Sequence, residues 1–327
     1  MKKMKYPQVG IVAIIGITML CLIVVPLVAE YNFEGFPVET KISGFVNGGV
    51  FIDYEPWTGT TTLTGEFDVP DGDVKWARLY TGIWGGNPRN KGWIEVTFNG
   101  VDNVSGLGQI HLQGESDTNP NVWCSGNGKH WIYYNVTNLV APGSTNTATT
   151  SKINGSIDGR AYGIVLIVVY EGGNNPKEIQ YGINDGSDAL HYADAAWPPI
   201  SHDTGISYFN GTVNTEIVTK ANLTLVHLTA YDPGCNSCLK FNEHELNTSM
   251  VDSNTFELNT WNVTGYVAST DNSVFYSRGE DEYINVANAI LVLERRTVEA
   301  PDTNITAIED YDRPKGEKGQ TDERKGD

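Results

Sequence analysis

Tyr134-Asn135-Val136-Thr137-Asn138-Leu139-Val140 is matched further along the chain by Trp261-Asn262-Val263-Thr264-Gly265-Tyr266-Val267. Each copy has an aromatic residue, then Asn-Val-Thr, a spacer and an apolar pair. The surroundings match as well. Upstream lie Phe98-Asn99 and Phe241-Asn242, and before them Ala77-Arg78-Leu79 and Ala221-Asn222-Leu223. Downstream an apolar run ends in Glu, Ile164 to Glu171 in one copy and Ala289 to Glu294 in the other. The recurrence predicts two copies of one β-domain. Side chains alternate along a strand, so Tyr134, Val136 and one of Leu139 or Val140 are expected to face a core. Asn135 and Thr137 then face outward or tie the chain by local hydrogen bonds.

Composition agrees with a β protein. The 327 residues hold two domains of ordinary size plus flanking segments. Gly is abundant, 10% of residues are aromatic, and helix-favouring stretches are few, a balance that suits short strands joined by turns. The formal net charge of −18 repels phosphate backbones and excludes nucleic acid as a partner. It is compatible with cation binding or with solubility alone.

Residues 1–30 form a separate segment. Lys2, Lys3 and Lys5 precede the uncharged run Val9 to Ala29, which as a helix would be roughly 30 Å long, enough to cross a bilayer. The lysines predict a cytoplasmic N-terminus and a membrane-anchored chain with an external body at the cell surface. The alternative is a cleaved signal peptide and a secreted protein. The body divides into a first β-sandwich over 31–200 and a shorter second one over 201–297. Residues 298–327 are charged and nearly free of aromatics, and are expected to be a disordered tail.

Within the first unit, Leu63 to Val69 alternates, Val74 to Trp84 is the strongest strand, and Trp93 to Phe98 closes on the hairpin signal Asn99-Gly100. Val101 to Lys129 is long, polar and Gly/Asn-rich, and reads as a functional loop region. Gly163 to Tyr170 is a continuous apolar run of central-strand character. Gly182 to Ala196 fits either a turn and short helix or a strand closing the unit. The second unit carries strands at 205–209, 221–231, 239–241, 260–267 and 284–293.

The order of these elements resembles galactose-binding-like jelly rolls, so the expected fold is all-β, with two tandem jelly-roll-like β-sandwich domains after an N-terminal membrane helix. A closer resemblance rests on Val74-Lys75-Trp76-Ala77-Arg78-Leu79-Tyr80, Val96-Thr97-Phe98-Asn99-Gly100, Tyr134-Asn135-Val136-Thr137, Leu166-Ile167-Val168-Val169-Tyr170-Glu171, Asn184-Asp185-Gly186-Ser187-Asp188 and Phe209-Asn210-Gly211-Thr212. These are similar to the archaeal, mainly methanogen, surface family catalogued as domain of unknown function 3344. That resemblance implies an extracellular β-rich domain and no established activity.

Candidate site residues fall into four groups. Cys235 and Cys238 in a turn, with Cys124, are disulfide candidates for a protein outside the cell. Asn103, Asn154, Asn210, Asn222 and Asn247 open Asn-x-Ser/Thr sequons, as do Asn135, Asn262 and Asn304. Asn184, Asp185 and Asp188 offer closely spaced oxygens suited to a structural calcium, although Asn-Asp-Gly-Ser-Asp is also an ordinary turn; no other cofactor is expected. Trp57, Trp84 and Trp123 could present aromatic faces to sugar rings. Gly-x-Ser-x-Gly, His-Glu-x-x-His and phosphate-loop motifs are absent from the sequence. These features predict a non-catalytic cell-surface role in envelope structure, adhesion or recognition, with envelope glycans or other surface proteins as partners. A carbohydrate-binding module is the alternative, and a hydrolase acting at the Val101 to Lys129 loops is a third reading.

Overall fold

The structure, a computed structural model, describes residues 31–194, 198–228, 238–246, 256–279 and 283–296. The expected Val9 to Ala29 membrane segment and the tail after 297 lie outside the described residues. Among the described residues no helix is long and apolar enough to cross a membrane.

The fold is all-β, and its duplication shows in the strand order. The first set comprises β2 (Thr62–Val69), β3 (Asp73–Trp84), β4 (Gly92–Phe98), β5 (Gly108–Leu112), β6 (Val122–Ser125), β7 (Lys129–Asn135), β8 (Ser144–Gly155) and β9 (Ala161–Glu171). The second comprises β11 (Thr204–Tyr208), β12 (Val218–Leu228), β13 (Leu239–Phe241), β14 (His244–Glu245), β15 (Phe256–Asn262), β16 (Ser273–Ser277) and β17 (Tyr283–Arg295). Two long strands, β1 (Gly35–Glu55) and β10 (Lys177–His191), join them. The outer sheets run β2-β8-β4-β5 and β11-β16-β13-β14, position for position the same. The inner strands form one nine-stranded sheet, β15-β12-β17-β10-β1-β9-β3-β7-β6.

Alternation sorts the side chains into three cores. In β3, Ala77, Leu79 and Ile83 pack against Phe67, Ile94, Val96 and Phe98 of the first outer sheet. In β12 and β17, Ala221, Leu223, Leu225, Ala289 and Leu291 pack against Phe241, Val274 and Tyr276 of the second. The opposite faces of the inner strands meet in a third core, where Tyr80, Trp131, Val165 and Ile167 lie with Ile183, Val226, Phe256 and Ile290. Burying each such aliphatic side chain stabilises the fold by about 1.5–3 kcal/mol.

β1 crosses between the two halves. Its residues up to Gly48 pair with β10, and those from Gly48 onward pair with β9. Glycine is required at the crossing, because a Cβ on Gly48 would collide with the Tyr170 carbonyl. Val38 of β1 and Leu190 of β10 belong to the second core. The stretch expected as a first unit, 31–200, therefore supplies strands to both halves.

The Asn-Val-Thr repeat ends its strand rather than running through it. β7 stops at Asn135 and β15 at Asn262. Val136 and Val263 are buried, and their N–H groups donate to Ala77 O (3.1 Å) and Ala221 O (2.9 Å). Thr137 Oγ1 accepts from Ala77 N at 2.9 Å, and Thr264 Oγ1 from Ala221 N at 2.8 Å. Both threonine hydroxyls also donate to the preceding Asn Oδ1, at 2.8 Å in each copy. A polar stretch holds the strand end because it supplies hydrogen bonds that the ladder no longer provides. The expected loop from Val101 to Lys129 holds β5, β6 and a 3₁₀ turn at Gly114–Ser116, since Gly108–Leu112 and Val122–Ser125 find partners in β4 and β7.

Candidate functional site

The segment Asn184-Asp185-Gly186-Ser187-Asp188 lies in β10, where the pairing with β17 shifts between Asp185 and Asp188 and that with β1 shifts between Phe36 and Glu39. Gly186 sits against the Pro37 carbonyl, with no space for a Cβ. This bulge aims the polar side chains to different sides. Asn184 donates to Ser207 Oγ (2.7 Å) and Tyr208 O (2.8 Å) in the second outer sheet region. Asp185 reaches the seam between the inner strands, where Arg78 Nη1 and Tyr80 OH (2.9 Å) donate to its Oδ2. Asp188 turns to the second half and accepts from Tyr276 OH at 2.7 Å. The three residues expected to share a calcium ion thus do not converge, and among the described residues no group of three His, Cys, Asp or Glu side chains is placed to hold a metal.

The seam around Asp185 is aromatic. The Arg78 guanidinium lies 4.0 Å over the Tyr133 ring and 5.8 Å from that of Trp76. Burial pushes the Asp185 carboxyl above its ordinary range, against the opposing pull of Arg78 and Tyr80. Burial also raises the Tyr80 phenol. Nearby, Ser125, Ser187 and Asn285 close a fully buried hydrogen-bonded triangle with sides of 2.8–3.1 Å. Lys129, opposite Ser125 across β6–β7, is buried 5.3 Å from the Tyr283 ring centroid. Burial lowers its amine to about 7.

The second carboxylate belongs to a less enclosed group. His202 Nε2 lies 2.8 Å from Asp188 Oδ1, and its side chain is 29% exposed. The hydrogen bond to Asp188 raises the imidazole above its ordinary value, outweighing partial burial. His202 stands directly across the chain from His191: each backbone N–H donates to the other's carbonyl at 2.9 Å. Their ring centroids are 6.1 Å apart. Asp203 beside them accepts from Ser201 Oγ and Arg278 Nε, both at 2.6 Å, and these bonds lower its carboxyl. A partly exposed imidazole aligned by a buried carboxylate, itself fixed by a phenol, is an acid–base arrangement.

The other expected residues are dispersed. Trp57 and Trp84 flank Tyr162 at 5.6 and 6.0 Å, and Trp123 packs on Tyr133 at 4.9 Å. All three are half-buried against the seam core, so they do not form one exposed platform. Cys124, expected as a disulfide candidate, is a free thiol; it is buried opposite His130, and burial raises it. Cys238 is disulfide-bonded, and Cys235 lies outside the described residues. Asn103, Asn154 and Asn210 are exposed, and Asn247 is outside the described residues. Asn222 lines a cleft of about 350 Å³ together with Tyr170, Lys177, Thr224, Thr260 and Glu294.

Arg78, Tyr80, Lys129 and Tyr276 were not expected at a site. One sequence signal could have found the first. Arg78 puts a charge inside an apolar strand, at the place where the second copy carries Asn222.

The chain belongs to the family described as a protein of unknown function, DUF3344, whose model matches residues 31–294. Comparison of the sequence with curated proteins finds no match. Among solved structures it is similar to a peptide-N(4)-(N-acetyl-β-D-glucosaminyl)asparagine amidase, at 12% identity and TM-score 0.23, covering 77% of this chain and 97% of that one. It is similar to PNGase F, a glycosylasparaginase from Flavobacterium meningosepticum, at 11% identity and TM-score 0.24, covering 76% and 97%. It is also similar to the major capsid protein P2 of bacteriophage PM2, at 10% identity and TM-score 0.20, covering 78% and 99%. The expected non-catalytic role in envelope structure or adhesion, with its carbohydrate-binding alternative, is corrected on this finding: the glycoamidases matched over nearly their whole length are enzymes. Likeness at these identities and TM-scores assigns none of their activities to this chain.

Proposed function

We propose that the protein is an exported hydrolase in which His202, aligned by Asp188, draws the proton from an attacking water. The observation that carries this is the chain Tyr276 OH to Asp188 Oδ2 (2.7 Å) and Asp188 Oδ1 to His202 Nε2 (2.8 Å), with His202 open to solvent. When Nε2–H points to Asp188, neutral His202 keeps Nδ1 as its basic nitrogen. The carboxylate stabilises the imidazolium that forms, and Tyr276 keeps the carboxylate from turning away. Such a base suits acyl transfer to water, at an amide or ester carbonyl. Export is supported by the lysines before Val9 to Ala29 and by the disulfide at Cys238. Two tandem jelly rolls remain our reading of the duplicated strand order.

The test is hydrolysis of a panel of amides and esters by the intact protein, by His202→Gln and by Asp188→Asn. His202→Gln should lose about 10²–10⁴-fold in rate, the usual contribution of a general base. A wild-type protein that turns over no member of the panel, or a His202→Gln variant with unchanged rate, would reject the proposal.

A further inference from the structure

His191 carries an unused hydrogen-bond acceptor beside the proposed base. Its Nδ1 lies 3.1 Å from the carbonyl oxygen of Tyr192. A carbonyl only accepts, so Nδ1 carries the hydrogen and the neutral ring's Nε2 is left as an acceptor. That Nε2 is buried and has no hydrogen-bond partner. Such an atom forfeits its hydration for no return unless a donor reaches it.

The same deduction applied to His202 gives a second acceptor. Asp188 takes the hydrogen on Nε2, so Nδ1 is the lone-pair nitrogen. The two rings stand opposite each other on paired strand segments, 6.1 Å between centroids. Two N···O hydrogen bonds of about 2.9 Å given by one water, whose hydrogens diverge by about 105°, reach acceptors about 4.6 Å apart, a separation open to ring nitrogens that face each other from centroids 6.1 Å apart. Water has two hydrogens to give, and its lone pairs then point away from both donor directions.

We infer that His191 is a positioning residue that, together with His202, holds the hydrolytic water: one O–H is donated to His191 Nε2 and the other to His202 Nδ1. This rests on the reading of His202 as the base. In the reaction the water oxygen forms the bond to the carbonyl carbon while its proton passes to His202 Nδ1. The water hydrogen donated to His191 Nε2 stays with the oxygen, now a hydroxyl of the tetrahedral adduct. The proton on His202 leaves with the amine or alkoxide when the scissile bond breaks. No further reactant is needed.

The acids around the pair bear on the water as well. Asp188 accepts from Tyr276, and Asp203 accepts from Ser201 and Arg278; as carboxylates neither has a hydrogen to donate to His191. Phe33 packs edge-on to the His191 ring at 4.8 Å and walls one side of the site. The two ring nitrogens, His191 Nε2 and His202 Nδ1, are both acceptors, which suits a small molecule with two hydrogens to give.

Two measurements test this. A high-resolution crystal structure of the whole protein should show an ordered water within hydrogen-bond distance of both His191 Nε2 and His202 Nδ1. The absence of that water, with both rings ordered, overturns the inference whatever the activity. In the hydrolysis assay, His191→Gln should lower kcat about 10–100-fold with KM unchanged, while a merely structural loss would lower stability and leave kcat per folded molecule intact. A His191→Gln enzyme with wild-type kcat beside an inactive His202→Gln overturns the role of His191 and leaves the base intact. Unchanged rates in both variants overturn the reading of His202 itself.

Discussion

Tyr80 and Asp185 are joined by a hydrogen bond of 2.9 Å across the seam between the two halves, from β3 of the first to β10. Arg78 donates to the same carboxylate oxygen. Three residues from one bulge therefore fasten the junction strand in three directions: Asp185 to the seam, Asn184 to β11, and Asp188 to Tyr276 of β16. Removing Asp185 strands a buried guanidinium. Asp185→Ala should destabilise the protein by about 3–5 kcal/mol, while Asp185→Leu combined with Arg78→Met should cost much less. Urea unfolding curves of the two variants check this; equal losses would contradict it.

The two copies of Asn-Val-Thr should be energetically equivalent. Thr137→Ala and Thr264→Ala each leave a strand N–H, of Ala77 or Ala221, without its acceptor. Each should cost about 1–3 kcal/mol. Thr→Ser at either place keeps the hydroxyl and should cost less. A loss at one copy only, in denaturant titrations, would show that the repeats carry different loads.

The pH dependence of the proposed reaction follows from Asp188. Its hydrogen bond holds the His202 pKa above the ordinary 6.5. A base works in its neutral form, so kcat/KM should rise with pH through a midpoint above 6.5. Asp188→Asn should move that midpoint down as well as lower the plateau. The pair's contribution to stability has the opposite sense. It is fully present below about 6.5, the unfolded value, and is lost as pH rises through the raised folded value.

His130 and His227 predict sensitivity to acid. Both rings are buried, and burial lowers each to about 4. The unfolded chain takes up protons below about 6.5 while the folded chain does not, so stability should fall as pH drops from about 6.5 to 4. Replacing His227 by Leu should flatten that fall, as read from melting temperature against pH.

Lys129 acts in the alkaline range. Burial lowers it from 10.5 to about 7, so between these values the unfolded chain holds a proton that the folded one lacks. Stability should therefore rise with pH across that window, by about 1.4 kcal/mol per unit at most. Lys129→Met should remove the rise and be the more stable protein at pH 7. Loss of stability in that variant would mean that the contact with the Tyr283 ring outweighs the burial of the amine.

The duplicated motif was legible because each copy is local: Asn262 and Thr264 bond to each other across two residues, as do Asn135 and Thr137. The neighbouring Asn residues repeat just as closely, Asn99 donating to Asn146 and Asn242 to Asn272, at 2.8 and 2.7 Å. Alternation in Leu63 to Val69 and the apolar run from Gly163 to Tyr170 likewise announced β2 and β9. The site was harder to read. Asp185 and Asp188 are carboxylates near one another in sequence, which predicts that they act together. Whether they do depends on the bulge at Gly186, which comes from the close approach of Pro37, some 150 residues earlier.

By itself the sequence determined the β class, the two copies and the strands that build them, because side-chain period and turn chemistry act over a few residues. The tertiary structure decided that β1 and β10 are shared, that Arg78 and Tyr80 meet Asp185, and that His202 meets Asp188 and Tyr276. Those partners lie 14 to 107 residues apart in the chain. What brings them together is the packing of one inner face against another, and no local pattern records which faces will meet.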